Sequence, residues 1–431
     1  MARGTGFVHR LAAAIAHIFY RVNAVGAVPA GPLILLPNHP NALLDPALVM
    51  ATAGRPIRFL AKSTLFAGPF APLLKAANTI PVYRKQDGAV VGRNQETFAD
   101  VDAALARGEA VCIFPEGISH SSGKLEPLRT GAARMALSAV AGGTDLQMVP
   151  VGINLERKTV FRSRATVAYG PAFRVPAGAP TPSLERVKAL TSEMADRIRA
   201  LLVEADPRSD AELVERVDRL YRSERPQPQG AHATLVRRKA IAEAMHRMRA
   251  ERPEWYASAL IQLRRHDDRL RRFGLRDGAL DWQLTPAAAW AFIAREVPAA
   301  LLLVPVAVTA GVTFAIPYGL TAAAGRVSTD MDVTATAKVV GGTVIYAAWI
   351  GLLTLVSWWV AGPTGLLVSV GLPVLAIAGL FAIERETAAW LTARSWLALR
   401  GAHPTTRVSL KRRRAELAEV VDAVNDWIQA P

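Results

Sequence analysis

Two patterns of apolar residues divide this chain. Between residues 24 and 176, short apolar runs alternate with stretches of helical spacing, and Gly or Pro follows most runs. Runs of this kind, several rich in Val and Ile, predict strands, and strands alternating with helices predict an α/β domain. The predicted strands are 33–36, 58–61, 80–83, 110–114, 148–153 and 165–169. A helix is predicted around 98–105, with Gly108 at its end.

The second pattern is a pair of long uncharged stretches, 297–325 and 339–383. A hydrocarbon core of about 30 Å requires about 20 apolar residues of helix. The first stretch therefore predicts one membrane span, and the second has room for two, hinged near residues 362–365. We predict a C-terminal transmembrane region at 297–384 with two to three spans. An even number of crossings would leave both basic flanks on one side, and an odd number would separate them.

Three segments flank these regions. Residues 1–23 predict an amphipathic helix that either lies at a membrane interface or packs on the next domain. Residues 177–296 predict a basic helical region, with Pro182 at a first helical position and a linker at 225–230. Its arginines either form a solvated face or contact anionic membrane. Residues 385–431 predict a basic tail on the cytoplasmic side.

Composition narrows the class of protein. The 431 residues are 51% hydrophobic yet carry a formal charge of +15, which fits a basic soluble part joined to a membrane part. The single cysteine, Cys112, excludes an internal disulfide and a cysteine-rich metal site, and its apolar run predicts a buried thiol. No glycine-rich phosphate loop opens a helix, which argues against nucleotide hydrolysis. Nucleic-acid binding is disfavoured because no aromatic platform for base stacking accompanies the basic residues.

Candidate chemistry follows the first predicted strand. His39 and Asp45 lie after it, within residues 37–46. Histidine is the default general base near neutral pH, and a carboxylate can orient its ring. Each of the two precedes a proline, which biases both away from helical geometry. Contact between them does not follow from their spacing.

Further polar residues follow later strands, where α/β folds bind ligands. Arg84 suits a phosphate because its guanidinium forms a fork of donors. Glu116 would accept a hydrogen bond from a polyol hydroxyl or order its loop. The predicted substrate-binding residues are Arg84, Lys85, Glu116, Gly117, Ser119, Lys124 and Arg129.

These groups of residues after the predicted strands, in this order along the chain, resemble motifs of the glycerolipid acyltransferases. That family is also called the lysophospholipid or glycerol-phosphate acyltransferase superfamily. The resemblance covers roughly residues 20–175 and is nearest to a subgroup, best known from fungi, that acylates glycerol 3-phosphate or dihydroxyacetone phosphate. It implies His39 as general base, Asp45 as its partner, and no covalent nucleophile. It also implies an acyl thioester on coenzyme A or a carrier protein as co-substrate, with no metal and no other cofactor.

Two departures from the family pattern affect these expectations. Five residues separate His39 from Asp45 where four are common in the family. Ile118-Ser119 stand where a threonine and a phosphate-binding arginine are usual. Phosphate binding would then fall to Arg84, with Lys85, Lys124 and Arg129 as further candidates.

The expected function is a membrane acyltransferase that acylates glycerol 3-phosphate or a close glycerol-phosphate acceptor in phospholipid biosynthesis. It would be an integral protein of the cytoplasmic or inner membrane, with its catalytic domain facing the cytoplasm and membrane lipids as partners. One alternative is an enzyme acting on 1-acylglycerol 3-phosphate or another lysophospholipid. A different class of alternative is a catalytically inactive, membrane-tethered lipid-binding scaffold.

Overall fold

The computed structural model describes residues 3–68, 71–83, 94–176, 182–205, 210–327 and 331–429. The chain divides into two compact units. The first contains Met1–Glu215, Pro228–Ala242 and Asp330–Thr336, and the second contains Arg216–Gln227, Glu243–Thr329 and Ala337–Pro431. The strands are β1 (Arg21–Val25), β2 (Leu33–Pro37), β3 (Ile57–Lys62), β4 (Ile80–Val82), β5 (Ala110–Cys112), β6 (Gln147–Leu155), β7 (Arg164–Tyr169) and β8 (Phe173–Arg174).

One sheet organises the first unit. Its strand order is β1-β7-β6-β2-β5-β3-β4, and β8 pairs with β6. The central strand β2 is parallel to both neighbours, so Leu35 lies opposite Val149 on one side and Cys112 on the other. Every residue of β2 is buried, as expected for a parallel strand in the middle of an α/β sheet. The predicted α/β domain is confirmed, and all six predicted strands form.

The helices up to the linker are α1 (Arg3–Phe19), α2 (Leu44–Thr52), α3 (Ala71–Ala76), α4 (Asn94–Ala106), α5 (Gly131–Ala141), α6 (Leu184–Arg199) and α7 (Asp210–Glu224). Apolar residues of α4, α5 and α6 pack on alternate residues of the sheet, including Ile34 and Val111. The predicted helix around 98–105 is confirmed as α4. Gly108 follows it with φ +77°, in the left-handed region that glycine adopts without strain.

Two local predictions differ from the structure. Within the predicted helix 1–23, apolar residues keep helical spacing from Phe7 to Val22. The helix α1 nevertheless ends at Phe19, because Arg21–Val25 pair in parallel with β7. Pro182 was expected at a first helical position, but α6 begins after Ser183, whose Oγ accepts a hydrogen bond from Arg186 N. A serine cap satisfies a free N–H of the first turn and so sets the start of the helix.

The remaining helices are α8 (Ala231–Glu251), α9 (Pro253–Arg272), α10 (Pro286–Val327), α11 (Met331–Ala361), α12 (Val368–Gly401) and α13 (Pro404–Gln429). A 3-10 helix, Gly362–Leu367, joins α11 to α12 at the predicted hinge. In the second unit, α10 and α12 approach closely at Gly379, where a Cβ atom would lie 2.1 Å from Ala310 Cβ. Trp349 of α11 donates its indole N–H to Thr313 O of α10 at 2.9 Å.

Among the described residues, two stretches are long and apolar enough to cross a membrane, Pro286–Ala324 and Lys338–Gly401. Their mean hydropathies are 2.3 and 2.5, and only 11% of the most apolar window of each is buried. Large apolar side chains along these stretches, such as Leu301 and Trp359, are exposed, whereas the core helix of a soluble protein is mostly buried. The boundaries proposed for the separate regions of the chain stay predictions.

Close packing in the first unit yields a stability test at Gly152 of β6. A Cβ atom at Gly152 would lie 2.5 Å from Leu201 O and 2.7 Å from Leu201 Cβ. Because overpacking typically costs about 1–3 kcal/mol, Gly152→Val is expected to lower the free energy of unfolding by at least about 2 kcal/mol. The matched control is Gly131→Ala, which meets open space and should unfold like wild type. Equal unfolding midpoints for both variants in denaturant would contradict this packing.

Candidate active site

The predicted histidine–aspartate pair lies at the carboxyl end of β2. His39 Nδ1 is 2.8 Å from Asp45 Oδ2, within hydrogen-bond distance. Asp45 is fully buried in the first turn of α2, while the His39 side chain is 18% exposed. The carboxylate accepts the Nδ1 hydrogen, which leaves Nε2 as the nitrogen available to a substrate. No described residue lies within hydrogen-bond distance of Nε2.

Backbone hydrogen bonds bring the pair together across its five-residue spacing. Asn41 N donates to the same Asp45 oxygen at 2.6 Å, and Ala42, with φ +42°, donates its N–H to Ser119 Oγ at 2.9 Å. The chain thus turns back so that Asp45 faces His39. The expected bias of Asp45 away from helical geometry does not hold. Its following proline, Pro46, lies in the first turn of α2, where N–H groups have no intrahelical acceptor.

Burial dominates the electrostatics of the Asp45 carboxyl. It raises the pKa of that carboxyl, and the hydrogen bonds and charge of His39, together with Asn41 N–H, partly oppose the shift. One oxygen, Oδ1, has no hydrogen-bond partner within the described part of the chain. The nearby Cys112 is a buried free thiol whose pKa is raised, first by burial and then by the Asp45 charge. A thiol of that kind is inert, as its apolar run predicts.

A second loop meets the His39 loop because β2 and β5 are parallel neighbours, so their carboxyl ends lie at the same edge of the sheet. Phe114, just beyond β5, stacks on the His39 ring with centroids 4.1 Å apart. Glu116 Oε1 accepts the His39 backbone N–H at 2.6 Å. Its Oε2 accepts Glu126 N–H at 2.9 Å and contacts His120 Nε2. The carboxylate is 1% exposed, and its hydrogen bonds join the two loops.

Three other predicted substrate-binding residues, Ser119, Gly117 and Lys124, differ in what they contact. Ser119 contacts the His39 loop directly through Ala42 N. Gly117, with φ +72°, lies beneath Arg129 Cγ, which would be 3.2 Å from a Cβ atom there. Lys124 lines a cavity of about 110 Å³ that Asn38 and His120 also line.

Arg129 itself presents an exposed side chain, and within the described ranges its guanidinium forms no hydrogen bond or ion pair. Its backbone N–H donates to Pro115 O at 2.7 Å, which fixes the chain beside the second loop. Arg84 and Lys85 lie outside the described residues. Their predicted contribution to phosphate binding stays a prediction.

Two residues at the site had no role in the sequence-based prediction. His120 belongs to the second loop, where its place after Ser119 in the family-like motif was a usable signal. Lys158, 4% exposed, lies between β6 and β7 and has no such signal. Its Nζ donates to Ser121 Oγ at 2.9 Å, and its charge acts on Asp45.

Asn38 joins the loop to the neighbouring strand. Its side chain accepts Ile153 N–H at 2.7 Å and donates to Ile153 O at 3.2 Å. These two bonds hold the chain just before His39 against β6. The candidate site is therefore built on the ends of β2, β5 and β6, where positions are set by the sheet.

The family model described as Acyltransferase matches residues 20–154. That stretch contains His39, Asp45 and Glu116 with the strands that position them. Residues 20–154 therefore resemble an acyltransferase domain. The predicted resemblance to the glycerolipid acyltransferases is confirmed over this part of the chain.

Several curated proteins are similar to parts of this chain. Glycerol-3-phosphate O-acyltransferase 2 of Saccharomyces cerevisiae is 43% identical over 79 residues, which is 18% of this chain and 11% of that protein. Glycerol-3-phosphate O-acyltransferase 1 of the same yeast is 31% identical over 125 residues, 27% of this chain and 16% of that protein. Lyso-ornithine lipid O-acyltransferase of Brucella abortus is 29% identical over 157 residues, 35% of this chain and 55% of that protein.

The chain thus spans only 11% to 16% of the two yeast relatives and about half of the Brucella one. Among solved structures, the 1-acyl-sn-glycerophosphate acyltransferase of Thermotoga maritima is similar, with 19% identity and a TM-score of 0.34. That similarity covers 45% of this chain and 77% of the other.

The burial of Asp45 predicts an unusual pH dependence of stability. Because burial raises the pKa of this carboxyl, its ionised form opposes folding above that pKa, and the penalty disappears as the pH falls below the ordinary value of 3.8. Asp45→Asn can keep both bonds accepted at Oδ2 and removes the charge. The variant is expected to unfold at equal or higher denaturant concentration than wild type at neutral pH, with the difference shrinking in acid.

The control for this comparison is Asp145→Asn, since Asp145 is 68% exposed and pairs with Arg174 at the surface. It should show no comparable trend with pH. An Asp45→Asn variant clearly less stable than wild type at neutral pH would show that ionised Asp45 stabilises the fold.

Proposed function

We propose that the protein transfers a fatty acyl group from an acyl thioester to glycerol 3-phosphate or a close glycerol-phosphate acceptor, in phospholipid biosynthesis. The observation that carries the proposal is the 2.8 Å contact between His39 Nδ1 and buried Asp45, which leaves Nε2 open to a substrate. The match to the acyltransferase family and the activities of the two yeast relatives support this reaction and acceptor class.

In the proposed mechanism His39 Nε2 takes the proton of an acceptor hydroxyl while the oxygen of that hydroxyl attacks the thioester carbonyl carbon. Asp45 holds the ring in the required tautomer and offsets its developing positive charge. The tetrahedral intermediate then collapses, the carbon–sulfur bond breaks, and the thiolate leaving group takes the proton back from His39. An ester and a free thiol are the products. The reaction needs no metal and no cofactor beyond the acyl carrier.

The acceptor phosphate requires cations near this site. Arg129 is a candidate because its side chain is exposed and its Cγ lies next to Gly117 of the second loop. Lys124 is a second candidate, beside the cavity that also reaches His120. Arg84 and Lys85 complete the proposed set. Together they would replace the arginine that the family usually has where Ser119 stands.

A lysophospholipid acceptor is the alternative within the same reaction class. The lyso-ornithine lipid acyltransferase of Brucella abortus favours it, since the match extends over more of this chain than either yeast match. A catalytically inactive scaffold is disfavoured by the intact contact between His39 and Asp45, which a binding protein does not need. An assay of purified membranes with labelled acyl-CoA separates these readings by comparing glycerol 3-phosphate, lysophosphatidate and other lysophospholipids as acceptors.

We also propose that the protein is integral to the membrane, with its acyltransferase domain on the cytoplasmic side. The two exposed apolar stretches support insertion, and basic residues beside membrane spans tend to remain in the cytoplasm. The tail contributes less free charge than its sequence suggests. In the second unit, Arg414 pairs with Glu224 at 2.7 Å and with Asp281 at 2.6 Å, and Lys411 pairs with Asp281 at 3.0 Å.

His39→Ala tests the general base. General base catalysis typically contributes about 10²–10⁴-fold, so kcat is expected to fall by at least about 10²-fold while the protein still fractionates with membranes. The exposed His403→Ala serves as the control and should keep wild-type turnover. Activity within a few-fold of wild type in His39→Ala would contradict the assignment of His39 as the general base.

Arg129→Ala and Arg84→Ala test the proposed phosphate contacts. A hydrogen bond to a charged group is worth about 1.5–3 kcal/mol, so loss of either contact should raise the acceptor KM about 10-fold or more, with kcat nearly unchanged. The control is Arg174→Ala, because Arg174 pairs with Asp145 at the surface. This variant should leave the acceptor KM as in wild type. If the acceptor KM is unchanged in both Arg129→Ala and Arg84→Ala, the phosphate is bound elsewhere.

A further inference from the structure

His120 connects the second loop to His39 by two routes. Its backbone N–H donates to His39 O at 3.2 Å. Its ring Nε2 contacts Glu116 Oε2, while the other oxygen of that carboxylate accepts the His39 N–H at 2.6 Å. Both the N–H and the C=O of His39 are thus held by His120, one of them through Glu116.

Hydrogen bonds hold both ring nitrogens of His120. Ser122 Oγ lies 2.7 Å from Nδ1 and 2.8 Å from Lys124 O. A hydroxyl has one hydrogen and a carbonyl oxygen only accepts, so Ser122 donates to Lys124 and accepts from Nδ1. The Glu116 carboxylate accepts from Nε2. Both ring nitrogens are therefore held in place, Nε2 by Glu116 and Nδ1 by Ser122.

Glu116 has three donors, all from the protein: His39 N–H, the His120 ring and Glu126 N–H. A carboxylate that binds three groups of the protein fixes the positions of those groups relative to one another. If the His120 ring is removed, Glu116 stays buried but loses one of these three hydrogen-bond partners. The peptide that carries His39 would then no longer be fixed.

We propose that His120 is a positioning residue that acts through Glu116 to fix the main chain at His39, and with it the direction of Nε2. The inference rests on the proposed function, in which Nε2 is the general base. His120 does not contact substrate in this proposal. Its loss should therefore misdirect the base without weakening the binding of either substrate.

The test compares two amide replacements. Glutamine can place its amide nitrogen where Nε2 stands and keep the bond to Glu116, whereas asparagine can replace only Nδ1. Because a displacement of about 1 Å can cost about 10²-fold in rate, His120→Asn is expected to lower kcat about 10- to 100-fold with both KM values unchanged. His120→Gln should recover most of that loss. The exposed His232→Asn is the matched control and should behave as wild type.

A second measurement asks whether His120 acts through His39. In a His39→Ala background, His120→Asn should produce no further loss of the residual rate, since the base it positions is absent. Thermal unfolding of each variant is measured in parallel. If His120→Asn does not fold, Ser122→Ala, which removes the acceptor of Nδ1, should show a smaller fall in kcat with unchanged KM.

Several outcomes would overturn the inference. A raised acceptor KM with unchanged kcat would make His120 a substrate ligand, and equal losses in the asparagine and glutamine variants would remove the role of the Glu116 bond. Wild-type kcat in His120→Asn, with His39→Ala inactive, would reject this inference and leave the proposed function standing. No acyl transfer by wild type to any acceptor tested would instead reject the proposed function.

Discussion

Two buried carboxylates hold one histidine, one through its ring and the other through its backbone, and the candidate site depends on both. Asp45 accepts from the ring of His39, and Glu116 accepts from its backbone. Burying a carboxylate is costly unless hydrogen bonds and counter-charges compensate it. Each receives a backbone N–H from a loop, Asn41 N for Asp45 and Glu126 N for Glu116. The loop conformations and the carboxylates therefore stabilise one another, and a change in one loop reaches His39.

The sheet makes this arrangement possible. Because β2 is parallel to β5 and β6, three strands end at one edge, and their following segments meet there. Asn38 ties the His39 loop to β6, and Ile113 N donates to Leu35 O where the second loop leaves β5. Gly117, at positive φ, lets that loop turn beneath Arg129. A rigid scaffold of this kind leaves the His39 side chain little freedom.

The second unit combines an apolar surface with buried charge networks. Its long helices expose apolar side chains along two stretches, which suits a hydrocarbon environment. Elsewhere in the unit, Asp277 contacts His266 at 2.7 Å and Arg216 at 2.7 Å. The pKa of Asp277 is lowered, since the contacts with His266 and Arg216 outweigh the opposing effect of burial. Paired charges of this kind allow basic helices to pack without isolated buried ions.

The sequence by itself determined the elements and the chemical types. All six predicted strands form within two residues of their expected bounds, and the uncharged stretches lie in long exposed helices, because both are encoded by local runs. His39, Asp45 and Glu116 were identified as residue types at strand ends. Only the tertiary structure decided which of them touch. Glu116 is 77 positions from His39, so its contact depends on the parallel pairing of β2 with β5 and not on spacing. The His39–Asp45 contact, across an unusual interval, likewise depends on a turn whose N–H groups bond to Asp45 and to the distant Ser119.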